Sequence, residues 1–230
     1  MKLMRSIFGF GLFALSLSTQ ATVVTVTASG TGTYYDYANG AYTNNASISQ
    51  TWTFDSSDVP ADYYSGVTNY AYYDSLSDYD WINGSVQVSG GTVITASDVV
   101  SDATYSRDYV LIQDEYGSAG VDRYQVYTYD YDNVSRNYFH SYAYFYEYIE
   151  DIVQGLDVAQ GINWVDNDSS DYGYGYAYWY DWNGTSYDPY AQVSYRLDSM
   201  TVSTASVPEP GTLLLFGLGL LGLVARRVRS

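Results

Sequence analysis

Alternation with a period of two residues constrains this chain more than any other feature. Residues 171–190 read DYGYGYAYWYDWNGTSYDPY, with Tyr172, Tyr174, Tyr176, Tyr178 and Tyr180 on every second residue and Gly173, Gly175, Ala177 and Trp179 between them. Successive side chains of a strand point to opposite faces, so this segment has a tyrosine face and a nearly flat face. Either the flat face packs inward and the tyrosines form a wet aromatic surface, or the tyrosines line a core and their hydroxyls need partners.

The same period recurs along the chain. Residues 47–54 put Ile48, Trp52 and Phe54 on one face. Val24 and Val26 alternate with threonine, and Val86 and Val88 sit between serines. Residues 123–131 and 138–148 alternate tyrosines, and Val193, Tyr195 and Leu197 close the series. These are half-buried strands built from β-branched and aromatic residues. Turn signals fall at Asn39–Gly40, Asn83–Gly84, Gly90–Gly91, Tyr116–Gly117 and Asn183–Gly184. Helical spacing occurs at residues 147–156, where Tyr148, Ile149, Ile152 and Val153 precede Gly155. Many short strands at this spacing predict an all-β fold, an antiparallel β-sandwich.

The two ends read differently. Lys2 and Arg5 precede an apolar run from Ile7 to Leu17, then small residues with Thr19 and Ala21 set for cleavage at Ala21. This is the layout of a secretory signal peptide. Thr212 to Ala225 is almost wholly apolar, and Arg226, Arg227 and Arg229 follow. The run is shorter than the ~20 residues of an ordinary transmembrane helix, and the arginines suit retention on the cytoplasmic side. The chain is thus expected to divide into a signal helix at 1–21, a body at 22–206 and a tail at 207–230 with a short transmembrane helix.

The tail carries a resemblance. Pro208–Glu209–Pro210, a Leu/Gly-rich apolar segment and Arg226–Arg227 stand in fixed order at the chain terminus, and together they closely resemble the PEP-CTERM sorting signal of Gram-negative bacteria. The prolines hold this strip extended just before the apolar segment, a form a membrane-embedded protease can bind. The resemblance implies processing by an exosortase after transient inner-membrane anchoring, with Pro208, Glu209 and Pro210 as recognition residues. It also implies release to the cell surface or matrix, often in bacteria that make exopolysaccharide. The stretch QTWTFDSSDVPAD at 50–62 resembles exported sandwich proteins found ahead of this signal. Residues 217–222 match G-x-G-x-x-G, but no strand–helix unit or following acidic residue makes them a dinucleotide site.

Charge excludes several functions. The body holds 25 acidic residues, four arginines and no lysine, a net charge of −21. It repels nucleic acid, so no nucleic-acid partner is expected. The chain has no cysteine, so disulfides and thiol chemistry are absent. A serine nucleophile would depend on His140, and no G-x-S-x-G occurs; this histidine reads as a packed or surface residue of the tyrosine strand. Carboxylate pairs could hydrolyse glycosides, yet among 22 aspartates and three glutamates of the body no pair stands out.

Calcium suits an exported acidic chain. Asp166, Asp168 and Asp171 begin like an EF-hand loop, but Asp171 stands where glycine is required and Ala177 where glutamate is required. These three are candidate calcium ligands, set against a simpler reading as solvated loop aspartates. The D-x-D pairs Asp78/Asp80 and Asp130/Asp132 would each share one strand face. Asn45, Asn83, Asn133, Asn167 and Asn183 head N-x-[ST] patterns that turn chemistry explains in part. The tyrosines at 172–180 could stack on sugars, whereas cross-strand pairing accounts for most of the 30 tyrosines without a ligand.

These features lead to one expectation. The protein is a non-enzymatic, exported cell-surface or extracellular-matrix protein, a structural or adhesive component of an exopolysaccharide or biofilm matrix. Its partners are an exosortase and exopolysaccharide, and no cofactor beyond calcium is expected. The alternative is a carbohydrate-binding module or glycan-active enzyme.

Overall fold

A computed structural model describes residues 22–75, 80–117 and 120–206. The expected signal helix, its cleavage site at Ala21, Pro208–Pro210, the tail helix and Arg226, Arg227 and Arg229 lie outside the described residues.

The body is all-β and antiparallel. Its strands are β1 (Thr22–Asp36), β2 (Ala41–Asp55), β3 (Tyr70–Asp74), β4 (Asn83–Val88), β5 (Ile94–Thr95), β6 (Tyr105–Tyr116), β7 (Val121–Tyr131), β8 (Tyr138–Glu147), β9 (Ile162–Val165), β10 (Tyr172–Trp182) and β11 (Tyr187–Ser206). One helical turn, α1 (Ala96–Val99), is capped by Thr95, with Asp98 returning a bond to the Thr95 N–H. The strands lie in the order β3-β6-β7-β8-β10-β11-β1-β2-β4-β5, with β9 paired to β11 off this path.

The expected sandwich takes a different form, because its two layers are parts of one continuous sheet that curls over itself. Trp52 Nε1–H on β2 donates to Ser141 Oγ on β8 (2.9 Å). Gln50 Nε2–H donates across the core to the Tyr176 carbonyl of β10 (3.0 Å). Val24, Val26, Ile48, Trp52 and Phe54 come from one half, and they meet Val110, Tyr124, Val126, Phe145 and Leu197 from the other. A fully closed core leaves little room, and glycine sits where the halves touch. A Cβ on Gly84 would lie 2.6 Å from Thr128 Cγ2. Asn83–Gly84 is therefore the start of a packed strand and not the turn its sequence suggests. Asn39–Gly40, Gly90–Gly91, Tyr116–Gly117 and Asn183–Gly184 do fall at turns, where Gly40, Gly90, Gly117 and Gly184 take positive φ.

Residues 148–161 form no helix. Carboxylates intercept the backbone donors that a helix would use. Glu147 Oε1 accepts from the N–H groups of Tyr148 (3.1 Å), Ile149 (3.0 Å) and Glu150 (3.1 Å). Asp122 Oδ2 accepts from Ile152 (2.8 Å) and Val153 (2.9 Å), and Asp114 Oδ2 from Gly155 (2.7 Å). Carboxylate acceptors held in place by the sheet compete with i→i−4 bonding in this way.

Candidate functional site

The tyrosine ladder of β10 faces outward. Gly173, Gly175, Ala177 and Trp179 are buried, Tyr174, Tyr176, Tyr178 and Tyr180 are half-buried, and Tyr172 is exposed. The reason lies in neighbouring strands. A Cβ on Gly173 would sit 2.7 Å from both Leu197 Cβ and the Trp164 ring, and one on Gly175 would sit 2.2 Å from Tyr195 Cζ. Large side chains from β9 and β11 occupy the flat face, so the tyrosines take the other side.

Strand register turns this ladder into an aromatic field. Tyr127 on β7, Tyr142 on β8 and Tyr176 on β10 lie opposite one another in a row, and Tyr131, Tyr138 and Tyr180 form another. The rings of Tyr109 and Tyr127 stack at 4.5 Å between centroids, and those of Tyr138 and Tyr180 at 5.3 Å. The Arg123 guanidinium lies over Tyr146 (4.8 Å) and Tyr144 (5.4 Å). Burial holds the phenols of Tyr127, Tyr138 and Tyr144 well above their usual range. They remain neutral donors and acceptors across the whole physiological pH range.

His140 sits within this field. Its ring centroid is 5.0 Å from Tyr127, 5.5 Å from Tyr142 and 5.6 Å from Tyr176. Burial pushes its pKa down to about 4, so at neutral pH it is an uncharged ring packed among phenols. No serine hydroxyl is hydrogen-bonded to it among the described contacts. The field can stack on flat apolar faces and offer hydroxyls at the ring rims; it presents no activated nucleophile.

The acidic residues behave differently from the sequence expectation. Asp166 pairs with Arg196 (2.7 Å), and the exposed Asp168 accepts from the N–H and hydroxyl of Ser170 (2.9 and 2.7 Å). Asp171 is turned inside. The three candidate calcium ligands therefore do not converge. Among the described residues the one set of three acidic groups with ligand atoms within 4.8 Å of one another is Asp114, Asp122 and Asp151. Asp130 and Asp132 do not share a face either. Asp130 is buried and accepts from Ser106 Oγ (2.7 Å), whereas Asp132 lies past the end of β7 and holds the turn at Val134 and Ser135. Asp78 lies outside the described residues.

Buried acids are the feature that the sequence reading missed. Asp108 has no exposed surface and accepts from the N–H groups of Trp81 (2.7 Å) and Ile82 (2.9 Å), tying the chain before β4 to β6. Beside this tie lies a cleft of about 340 Å³ lined in part by Asp58, Asp80, Trp81, Asn83, Ser97 and Asp130. Burial raises the pKa of Asp130 to about 7 and also raises that of Asp108. The missed signal was parity: Asp108 alternates in step with Val110 and Ile112, Asp122 with Tyr124 and Val126, and Glu147 with Ala143 and Phe145.

The body is thus an all-β protein with an outward aromatic field, and the chain continues into a C-terminal sorting segment. Residues 206–230 match the PEP-CTERM protein-sorting motif. This motif implies an exported protein sorted by an exosortase. No curated protein and no solved structure matches it.

Proposed function

We propose that, after exosortase cleavage near Pro208–Pro210, the body serves as a non-enzymatic structural or adhesive component of an exopolysaccharide matrix at the cell surface. The outward tyrosine field of β7, β8 and β10 is the observation that carries this reading. It is broad and fixed by strand register, and its rings present both apolar faces and hydroxyl rims, the combination that stacks on sugar rings. The strong negative charge of the body favours neutral over acidic polysaccharide.

Replacing Tyr174, Tyr176 and Tyr178 together by alanine is expected to weaken pull-down by matrix polysaccharide and to reduce biofilm cohesion while the fold persists. Unchanged pull-down by the triple variant would overturn the assignment of the face. The cleft beside Asp80 and Asp130 supports the alternative glycan-active reading, because these two acids, Asp58 and Trp81 share its wall. Sugar release from any glycan, abolished by Asp130→Asn, would replace the structural role with that one. For sorting, Glu209→Ala with Pro210→Ala is expected to leave the uncleaved chain in the membrane fraction; normal processing would remove these residues from the recognition step.

A further inference from the structure

We propose that Glu147 and Asp171 form a buried site for a hard divalent cation, calcium by its chemistry, at the end of the sheet where β8 and β10 part. Tyr146 pairs with Tyr172, so the next step along both strands places Glu147 and Asp171 side by side on the inner face. Asp122 pairs with Glu147 on the other side. Three acids therefore stand in a row, exposed by only 1 % (Asp122), 2 % (Glu147) and 3 % (Asp171). The ion pairs of the described residues, Arg107–Asp74 and Arg196–Asp166, lie elsewhere.

The hydrogen-bond inventory separates Asp171 from its neighbours. Both Asp122 oxygens accept backbone N–H groups, from Glu115 on one side and from Ile152 and Val153 on the other. Both Glu147 oxygens are engaged, Oε1 by three backbone donors and Oε2 by Trp164 Nε1–H at 3.2 Å. Asp171 is the exception: both its oxygens are buried and neither accepts a well-formed hydrogen bond, the Glu147 carboxyl and the Tyr148 N–H being the polar groups beside them. The adjacent Tyr148 N–H is already bonded to Glu147. A carboxylate buried without donors is strongly destabilising unless a proton or a cation compensates it.

Burial, and then the neighbouring Glu147 carboxyl, raise the proton affinity of Asp171. A dication relieves both effects at once, because it neutralises the pair and coordinates the free oxygens. Oxygen-only donors select calcium or magnesium over zinc or copper. Irregular segments at 148–161 and 166–171 flank the pair, surroundings that suit the variable coordination of calcium better than the rigid octahedron of magnesium. The exposed Asp168 adds negative potential beside Asp171. The trio Asp114, Asp122 and Asp151 lacks this signature, because none of its oxygens is both buried and without a hydrogen-bond partner.

Terbium is a suitable probe, since the Trp164 indole touches Glu147 and can sensitise its luminescence. The full-length chain should show one saturable terbium phase that calcium displaces, and calcium should raise its melting temperature by several degrees. Asp171→Asn and Glu147→Gln should each weaken that phase at least about tenfold, while Asp166→Asn leaves it intact. Absence of a calcium-displaceable phase in the unmodified chain would overturn the site regardless of how the variants fold. Retention of the phase in Asp171→Asn with loss in Asp151→Asn would do so too, moving the ion to the neighbouring trio. A protonated-acid infrared band at neutral pH, absent from Asp171→Asn and unmoved by calcium, would assign a shared proton instead.

Discussion

Tyr195 is buried over β10, and its hydroxyl donates to Gln50 Oε1 (2.7 Å), which in turn donates through Nε2 to the Tyr176 carbonyl (3.0 Å). The ring fits only because Gly175 lacks a side chain: an added Cβ would lie 2.2 Å from Tyr195 Cζ. Gly175→Val is therefore expected to destabilise the body by about 3 kcal/mol or more through overpacking. Tyr176→Ala, one residue away on the outer face, should cost no more than about 1 kcal/mol, the worth of cross-strand ring contacts. Urea unfolding of the two variants checks this, and equal losses would contradict the assignment of faces. The period-two pattern of residues 172–180 was fully legible in the sequence, but its direction was not. Either face could have been the inner one; Tyr195, Leu197 and Trp164, distant in the chain, decide it by occupying the glycine side.

Elements show the same division between local and non-local information. Strand cores such as β7, β8 and β10 followed from alternation, because each buries one face along its whole length, and β2 does so from Ala46 onward. Residues 147–156 misled for a physical reason: their apolar spacing is helical, yet Glu147, Asp122 and Asp114 capture six of the N–H groups between residues 148 and 155. A carboxylate reaching in from another strand leaves no mark on local periodicity. It does, however, make the loop dependent on those acids. Asp122→Ala would leave the N–H groups of Ile152 and Val153 unpaired, at a cost of roughly 1–3 kcal/mol each when buried. We expect amide exchange at residues 149–155 to accelerate strongly while the β8–β10 ladder stays protected. Uniform acceleration over both regions would show that Asp122 supports the whole fold and not this loop.

At the scale of the whole molecule, the charge balance and the buried acids together set the pH response. Unfolded aspartates titrate near 3.9, whereas burial holds Asp130 near 7 and raises Asp108 as well. Between about pH 4 and 7 the folded state therefore binds more protons than the unfolded state, so stability falls as pH rises across that window. For Asp130 the full loss is on the order of 2–4 kcal/mol. His140 acts in the opposite sense. With its pKa pushed down to about 4, the unfolded state takes up a proton first, and stability falls as pH drops from about 6.5 towards 4. Self-repulsion of a body with 25 acidic residues and four arginines also grows with pH. Melting temperature, measured with a chelator present, should therefore peak between about pH 4.5 and 6 and decline towards pH 8. Asp130→Asn should flatten the decline from pH 5 to 8 because its amide still accepts from Ser106 Oγ without titrating. His140→Gln should flatten only the acidic side, and added salt should recover part of the loss at pH 8 by screening exposed charge. A melting temperature that climbs steadily to pH 8 would mean that Asp108 and Asp130 are ionised in the folded body, each paired with a donor or cation.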